Sequence, residues 1–172
     1  MKFVPLAAPL AGLALIVAAC APAAKKSGVP TPAPVNVLVN DAKAMMSELV
    51  VAPESADAFT IRCNTALDLV NRMIADLEGR DSPAGAADLA FLDTLVNVGV
   101  SVGFGEASVI AEANPDPALR EVGDTCQQRT SDMLTRLSLS RPIYDRLASI
   151  DPATLNPREA FLLARNLRDY RR

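Results

Sequence analysis

The 172 residues contain no histidine and no tryptophan, two tyrosines and five phenylalanines, and three cysteines. Without histidine there is no Ser-His-Asp or Cys-His nucleophile, no imidazole base and no His-ligated zinc or haem. So few rings give no stacking platform for bases and no aromatic-lined carbohydrate cleft. Seventeen basic residues against twenty acidic ones, with no basic run longer than two, exclude nucleic acid as a partner. The length corresponds to one domain.

What is present begins with an address. Residues 1–19 hold one early lysine, Lys2, then an apolar run broken by Pro5, Pro9 and Gly12 that ends in Val17-Ala18-Ala19 before Cys20. The run is too short and interrupted for a spanning helix and reads as a secretory signal. Its ending resembles a bacterial lipobox, which implies cleavage before Cys20 and lipidation of that cysteine. An ordinary cleaved signal and an uncleaved anchor are the other readings. Residues 20–36 are rich in proline and alanine without apolar periodicity, the composition of a solvated tether. The expected location is the periplasmic side of a bacterial envelope, held to the membrane through Cys20, with Ala21 favouring the outer membrane.

Residues 37–172 read as an all-α multi-helix bundle. A short helix is expected from Asp41 to Val50. Phe59, Cys63, Leu67, Val70, Met73 and Leu77 recur at helical spacing, between Ser55 as an N-cap and Gly79 as a stop. A second apolar pattern through Leu89, Leu92, Leu95/Val96, Val102 and Val109/Ile110 is interrupted by Gly99, Gly103 and Gly105, which predicts a bend, a break or a close helix crossing. Asp116-Pro117 opens a third helix lined by Leu119, Val122, Cys126, Met133 and Leu137. It ends or kinks before Pro142, and a short helix runs from Pro142 to Ile150. Asn156-Pro157-Arg158-Glu159 is a capping box for a last helix carrying Phe161, Leu162, Leu163, Leu167 and Tyr170. No stop signal follows, so the chain reads as cut off before its C-terminal end.

With Cys20 assigned to lipid, Cys63 and Cys126 form an even pair in an oxidising compartment. A disulfide and two buried free thiols are both open on sequence alone.

Four blocks carry a resemblance: Arg62-Cys63-Asn64-Thr65-Ala66-Leu67, residues 106–116, residues 137–145, and Leu167-Arg168-Asp169-Tyr170-Arg171-Arg172. Together they resemble the N-terminal helical region of the thimet oligopeptidase, oligopeptidase A and dipeptidyl carboxypeptidase family of zinc metallopeptidases. The resemblance implies an all-helical fold, part of the wall of a peptide channel, and hydrolysis of short peptides by a zinc-bearing His-Glu-x-x-His region further along the chain. No catalytic or metal residue carries over to this sequence, so the chain by itself is expected to be inactive and to hold no cofactor.

The acidic pairs Asp57/Asp68 and Asp76/Glu78, and Glu106 with Glu112, read as solvated surface or as partners of nearby arginines. Arg141, Arg146, Arg158, Arg165, Arg168, Arg171 and Arg172 make the C-terminal third basic, a solvated face or a docking face for a catalytic lobe or peptide carboxylates. The alternative function is a stand-alone helical envelope lipoprotein that binds a partner or a peptide.

Overall fold

The computed structural model describes residues 35–49 and 52–170, and among these every regular element is helical. The expectations for Cys20, for residues 1–19 and for the tether up to Pro34 lie outside the described residues.

Helix α1 (Val35–Glu48) begins two residues inside the segment assigned to the tether and six before Asp41. Its apolar spacing starts earlier than the proline-rich composition suggests. Leu38, Ala42 and Met45 form one face and are buried against the next two helices. Helix α2 (Ala56–Glu78) starts where the Ser55 side chain accepts from the Ala58 amide, and the amide of Gly79 closes its end by donating to the Ala75 carbonyl. Its stripe of Phe59, Cys63, Leu67, Val70, Met73 and Leu77 lies in the core.

Helix α3 (Ala86–Val100) passes without a break through a π-helical turn, Ser101–Glu106, into α4 (Ala107–Ala113). The Ala107 amide reaches back to the Val102 carbonyl, five residues earlier. This extra residue re-phases every later side chain by about 100° relative to an uninterrupted α-helix. The whole length Ala86–Ala113 is apolar and long enough to cross a membrane on composition alone. Here its apolar side chains serve the protein core: Leu89, Phe91, Leu92, Leu95, Val98, Val102 and Ile110 are buried. Of the Val109/Ile110 pair that continues the apolar pattern, Ile110 is buried and Val109 is 65% exposed, because the re-phased α4 turns Ala107 and Ile110 inward.

Asn114 and Asp116 build the reversal. Asn114 Oδ1 accepts from the Asp116 amide, and Asp116 Oδ1 accepts from Ala118, with Pro117 in the first turn of α5 (Pro117–Ser138). Helix α5 then runs back antiparallel along α4, the π turn and α3. Gly123 lies against the backbone of Ala107 and Ala111, Gly103 faces Thr130, and Gly99 faces Met133. The interior glycines are the means of a close crossing, one of the three predicted outcomes; none of them has positive φ.

The chain turns at Leu139 into α6 (Arg141–Ala148), N-capped by the Ser140 side chain. A single 3-10 turn, Pro152–Thr154, leads to α7 (Pro157–Asp169). The capping box is formed as its spacing predicts: Asn156 Oδ1 accepts from the Arg158 and Glu159 amides, and Glu159 Oε2 accepts from the Asn156 amide. Only part of the apolar set of α7 turns inward. Leu163 is buried and Leu167 and Tyr170 are partly so, whereas Phe161 is 66% exposed on the opposite side.

Cys63 on α2 and Cys126 on α5 are joined by a disulfide, with Cα atoms 6.1 Å apart and both residues buried. The two cysteines sit at the same level of an α2–α5 contact, the placement that the disulfide alternative requires.

Candidate functional site

Polar groups are concentrated at three places, each at a joint between helices. The first pairs Arg62 of α2 with Glu106, the last residue of the π turn. Glu106 Oε1 takes the guanidinium, while Oε2 is buried and accepts no hydrogen bond. Burial holds the Glu106 carboxyl above its ordinary value, and the Arg62 charge and hydrogen bond act against that rise. The π turn brings Glu106 to Arg62. Of the two acids singled out here, Glu112 remains exposed on α4.

The second joint is the most elaborate. Asp88, in the first turn of α3, is almost wholly buried. Its Oδ1 accepts from Arg80 Nη1 at 2.7 Å, and its Oδ2 accepts from Arg146 Nη2 at 3.0 Å and from the Gly85 amide at 3.0 Å. Arg80 also binds Asp76 and lies over the Phe91 ring, 4.0 Å from its centroid. Arg146 reaches the carbonyls of Arg80 and Ser82. A lone carboxylate is thus shared by two guanidinia, and α2, α3 and α6 are tied together. Arg146 therefore departs from the solvated face expected of the C-terminal arginines. Asp76 likewise departs from its pairing with Glu78: it faces Arg80, while Glu78 accepts from the Ser140 hydroxyl. Asp57 and Asp68 are exposed.

At the third joint the rings of Tyr144 and Tyr170 lie 6.3 Å apart, beside the start of α6. Burial, followed by the nearby Glu78 charge, pushes the Tyr170 phenol up to about 12. Between α2 and α5 there is a shallow open hollow of about 420 Å³, lined by Leu67, Asn71, Arg129, Asp132, Met133 and Arg136. Arg129 donates to Asn64 there. The hollow holds no acid-base pair aimed at a common point.

These donors do not fit zinc. Among the described residues no group of three or more His, Cys, Asp or Glu side chains converges on one point. Cys63 and Cys126 are oxidised, and the buried acids Asp88 and Glu106 are engaged by arginines. No step is therefore routed through a metal held by the described residues.

The four sequence blocks meet in pairs. Arg62 of the first touches Glu106 of the second, and Tyr144 of the third touches Tyr170 of the fourth. Sequence reading missed the Asp88 centre. Its one signal is an acid at the helical spacing of Phe91 and Leu92, on the apolar side of α3. Compared with protein-family models, with curated proteins and with solved structures, the chain matches none.

Proposed function

We propose that this helical body is the non-catalytic N-terminal part of an exported oligopeptidase-like zinc metallopeptidase, lipid-anchored through Cys20 on the periplasmic side of the envelope. It serves as channel wall and as docking partner for a region that supplies the zinc site and cleaves short peptides. The observation that carries this reading is the pairwise meeting of the four blocks. Residues 44 apart join at Arg62 and Glu106, and the two tyrosines join α6 to α7. Contacts between the blocks are what a resemblance extending to the fold would require, and in that sense they support the reading. The chemistry then belongs to chain beyond this body, in keeping with a sequence that has no histidine.

The DNA that follows the Arg172 codon tests the reading. A His-Glu-x-x-His codon series within the next few hundred codons, in any frame, is the expected finding; an unrelated gene starting at once would overturn it. Purified 20–172 supplied with zinc is expected to leave a short quenched peptide uncut.

A second reading, a stand-alone envelope lipoprotein that binds a partner or peptide, is favoured by how firmly the body is closed. The disulfide joins α2 to α5, and Asp88 joins α2, α3 and α6. Cooperative melting of the isolated body together with an unrelated downstream gene would favour it over the first.

A further inference from the structure

Helix α7 presents an outward stripe whose members recur at three and four: Arg158, Phe161, Arg165 and Arg168. All four are exposed. Among the described residues Arg158 and Arg165 have no acidic partner, and Arg168 has only its neighbour Asp169 at 4.0 Å. Glu159, the other acid of this helix, is spent on the capping box. Arg158 sits in the first turn, where the helix dipole disfavours a cation. Nothing inside the fold rewards that placement, and nothing covers the Phe161 ring.

Charge is divided along the chain in the same sense. Residues 35–140 carry 16 acidic and 7 basic side chains, whereas residues 141–172 carry 4 acidic and 7 basic. The cationic excess of the segment that holds α7 favours an anionic partner for its exposed arginines.

We infer that the Arg158, Phe161, Arg165 and Arg168 face of α7 lies on an anionic phospholipid surface, the three guanidinia on the head groups and the Phe161 ring in the interface. The exposed Phe161 ring and the flanking guanidinia put one apolar and three cationic contacts on the same outward stripe, while the apolar face of the helix, Leu163 and Leu167, packs into the body. The occupant follows from the charge complement and from the reach of the chain. From Cys20 to Val35 there are 15 residues, about 50 Å when fully extended. An anchor at Cys20 would leave this face within reach of the bilayer. This last point rests on the lipidated reading of Cys20; the charge argument does not.

The chain has no tryptophan, so F161W places a single reporter at the centre of the stripe. The full chain carrying F161W is mixed with vesicles of pure phosphatidylcholine and with vesicles containing phosphatidylglycerol. The expected result is a blue shift of the tryptophan emission on the phosphatidylglycerol vesicles only, reversed by high salt. Adding R158Q, R165Q and R168Q should remove the shift and weaken the phosphatidylglycerol-dependent part of binding on the order of a hundredfold, about fivefold per arginine. An unchanged emission on phosphatidylglycerol, or a shift that survives the triple substitution, overturns the inference. So does a shift that grows with protein concentration without vesicles, which would assign the face to a second copy. Binding to phosphatidylcholine reports the N-terminal segment alone, so its loss counts against the anchor and leaves the reading of α7 standing or falling on the emission.

Discussion

The crossing of α5 over the α3–π–α4 helix gives a graded prediction from three glycines. A Cβ at Gly103 would stand under 3.0 Å from Oγ1, Cβ and Cγ2 of Thr130 at once. Thr130 is fully buried, β-branched, and tied by its hydroxyl to the Cys126 carbonyl, so it has no free rotamer to retreat into. The helices must part locally, and G103A is expected to cost about 3 kcal/mol, the upper range of overpacking. A Cβ at Gly123 would meet backbone, Ala107 O and Ala111 N at 2.9 Å. Backbone cannot rotate away, but the overlap is smaller and alanine returns about 1 kcal/mol of helix propensity; a net loss of about 2 kcal/mol follows. At Gly99 the first atom met is Met133 Cε at 2.7 Å, the far end of a flexible side chain, so G99A should stay within about 1 kcal/mol of the parent. Urea unfolding followed by circular dichroism reads the order. With a slope of about 2 kcal/mol/M, G103A lowers the midpoint by about 1.5 M. The double variant G103A/T130G should recover at least about 1 kcal/mol of that loss, since it removes the atoms being struck. G103A within 0.5 kcal/mol of the parent, or G99A costing more than G103A, would refute the close-crossing account.

Three further outcomes follow from the joints. Replacing Cys63 and Cys126 by alanine should cost about 4 kcal/mol by the loop-entropy model, for a separation of 63 residues. The melting point should then fall by roughly 10–15 °C; two thiols titrating from Cys63 and Cys126 in unreduced, denatured protein would contradict the disulfide. D88N leaves Arg80 and Arg146 without their shared charge and should cost about 3–5 kcal/mol in thermal or urea unfolding; a loss under about 1 kcal/mol would mean the centre is solvated. Tyr170, raised to about 12 from 10.0, keeps its proton in the folded state after the unfolded chain has lost its own. Stability should therefore fall as pH rises through that interval, Y170F should lack this part of the fall, and phenolate absorbance should show a late step.

What the sequence made legible is what is coded over four or five residues. Ser55, Asp116-Pro117 and Asn156-Pro157-Glu159 mark helix starts, because a cap is a local bond between a side chain and an amide two or three residues on. The apolar stripes of α2 and α5 were equally plain. The π turn was visible only as glycines out of place, since the register shift depends on what α5 brings against Gly99 and Gly103. Tertiary pairings were closed to such reading: Arg146 meets Asp88 across 58 residues, and the two cysteines across 63. The apolar residues of α7 do not say which of them turn inward, since Phe161 and Leu163 lie on opposite sides and the packing of α7 against α3 and α6 buries Leu163. The site was less legible than the fold, and for the same reason: all three polar centres are contacts between helices.

The disulfide has a mechanical consequence. Residues 64–125, holding the end of α2, all of α3 and α4 and the start of α5, lie between its two ends. A pull applied between the two ends of the chain passes from α2 through the sulfurs straight into α5. Those 62 residues, about 210 Å of contour, carry no load and stay wound while α1, α6 and α7 peel away. If the proposed anchor at Cys20 holds the body to a membrane, force along the chain would strip the periphery and spare the crossing.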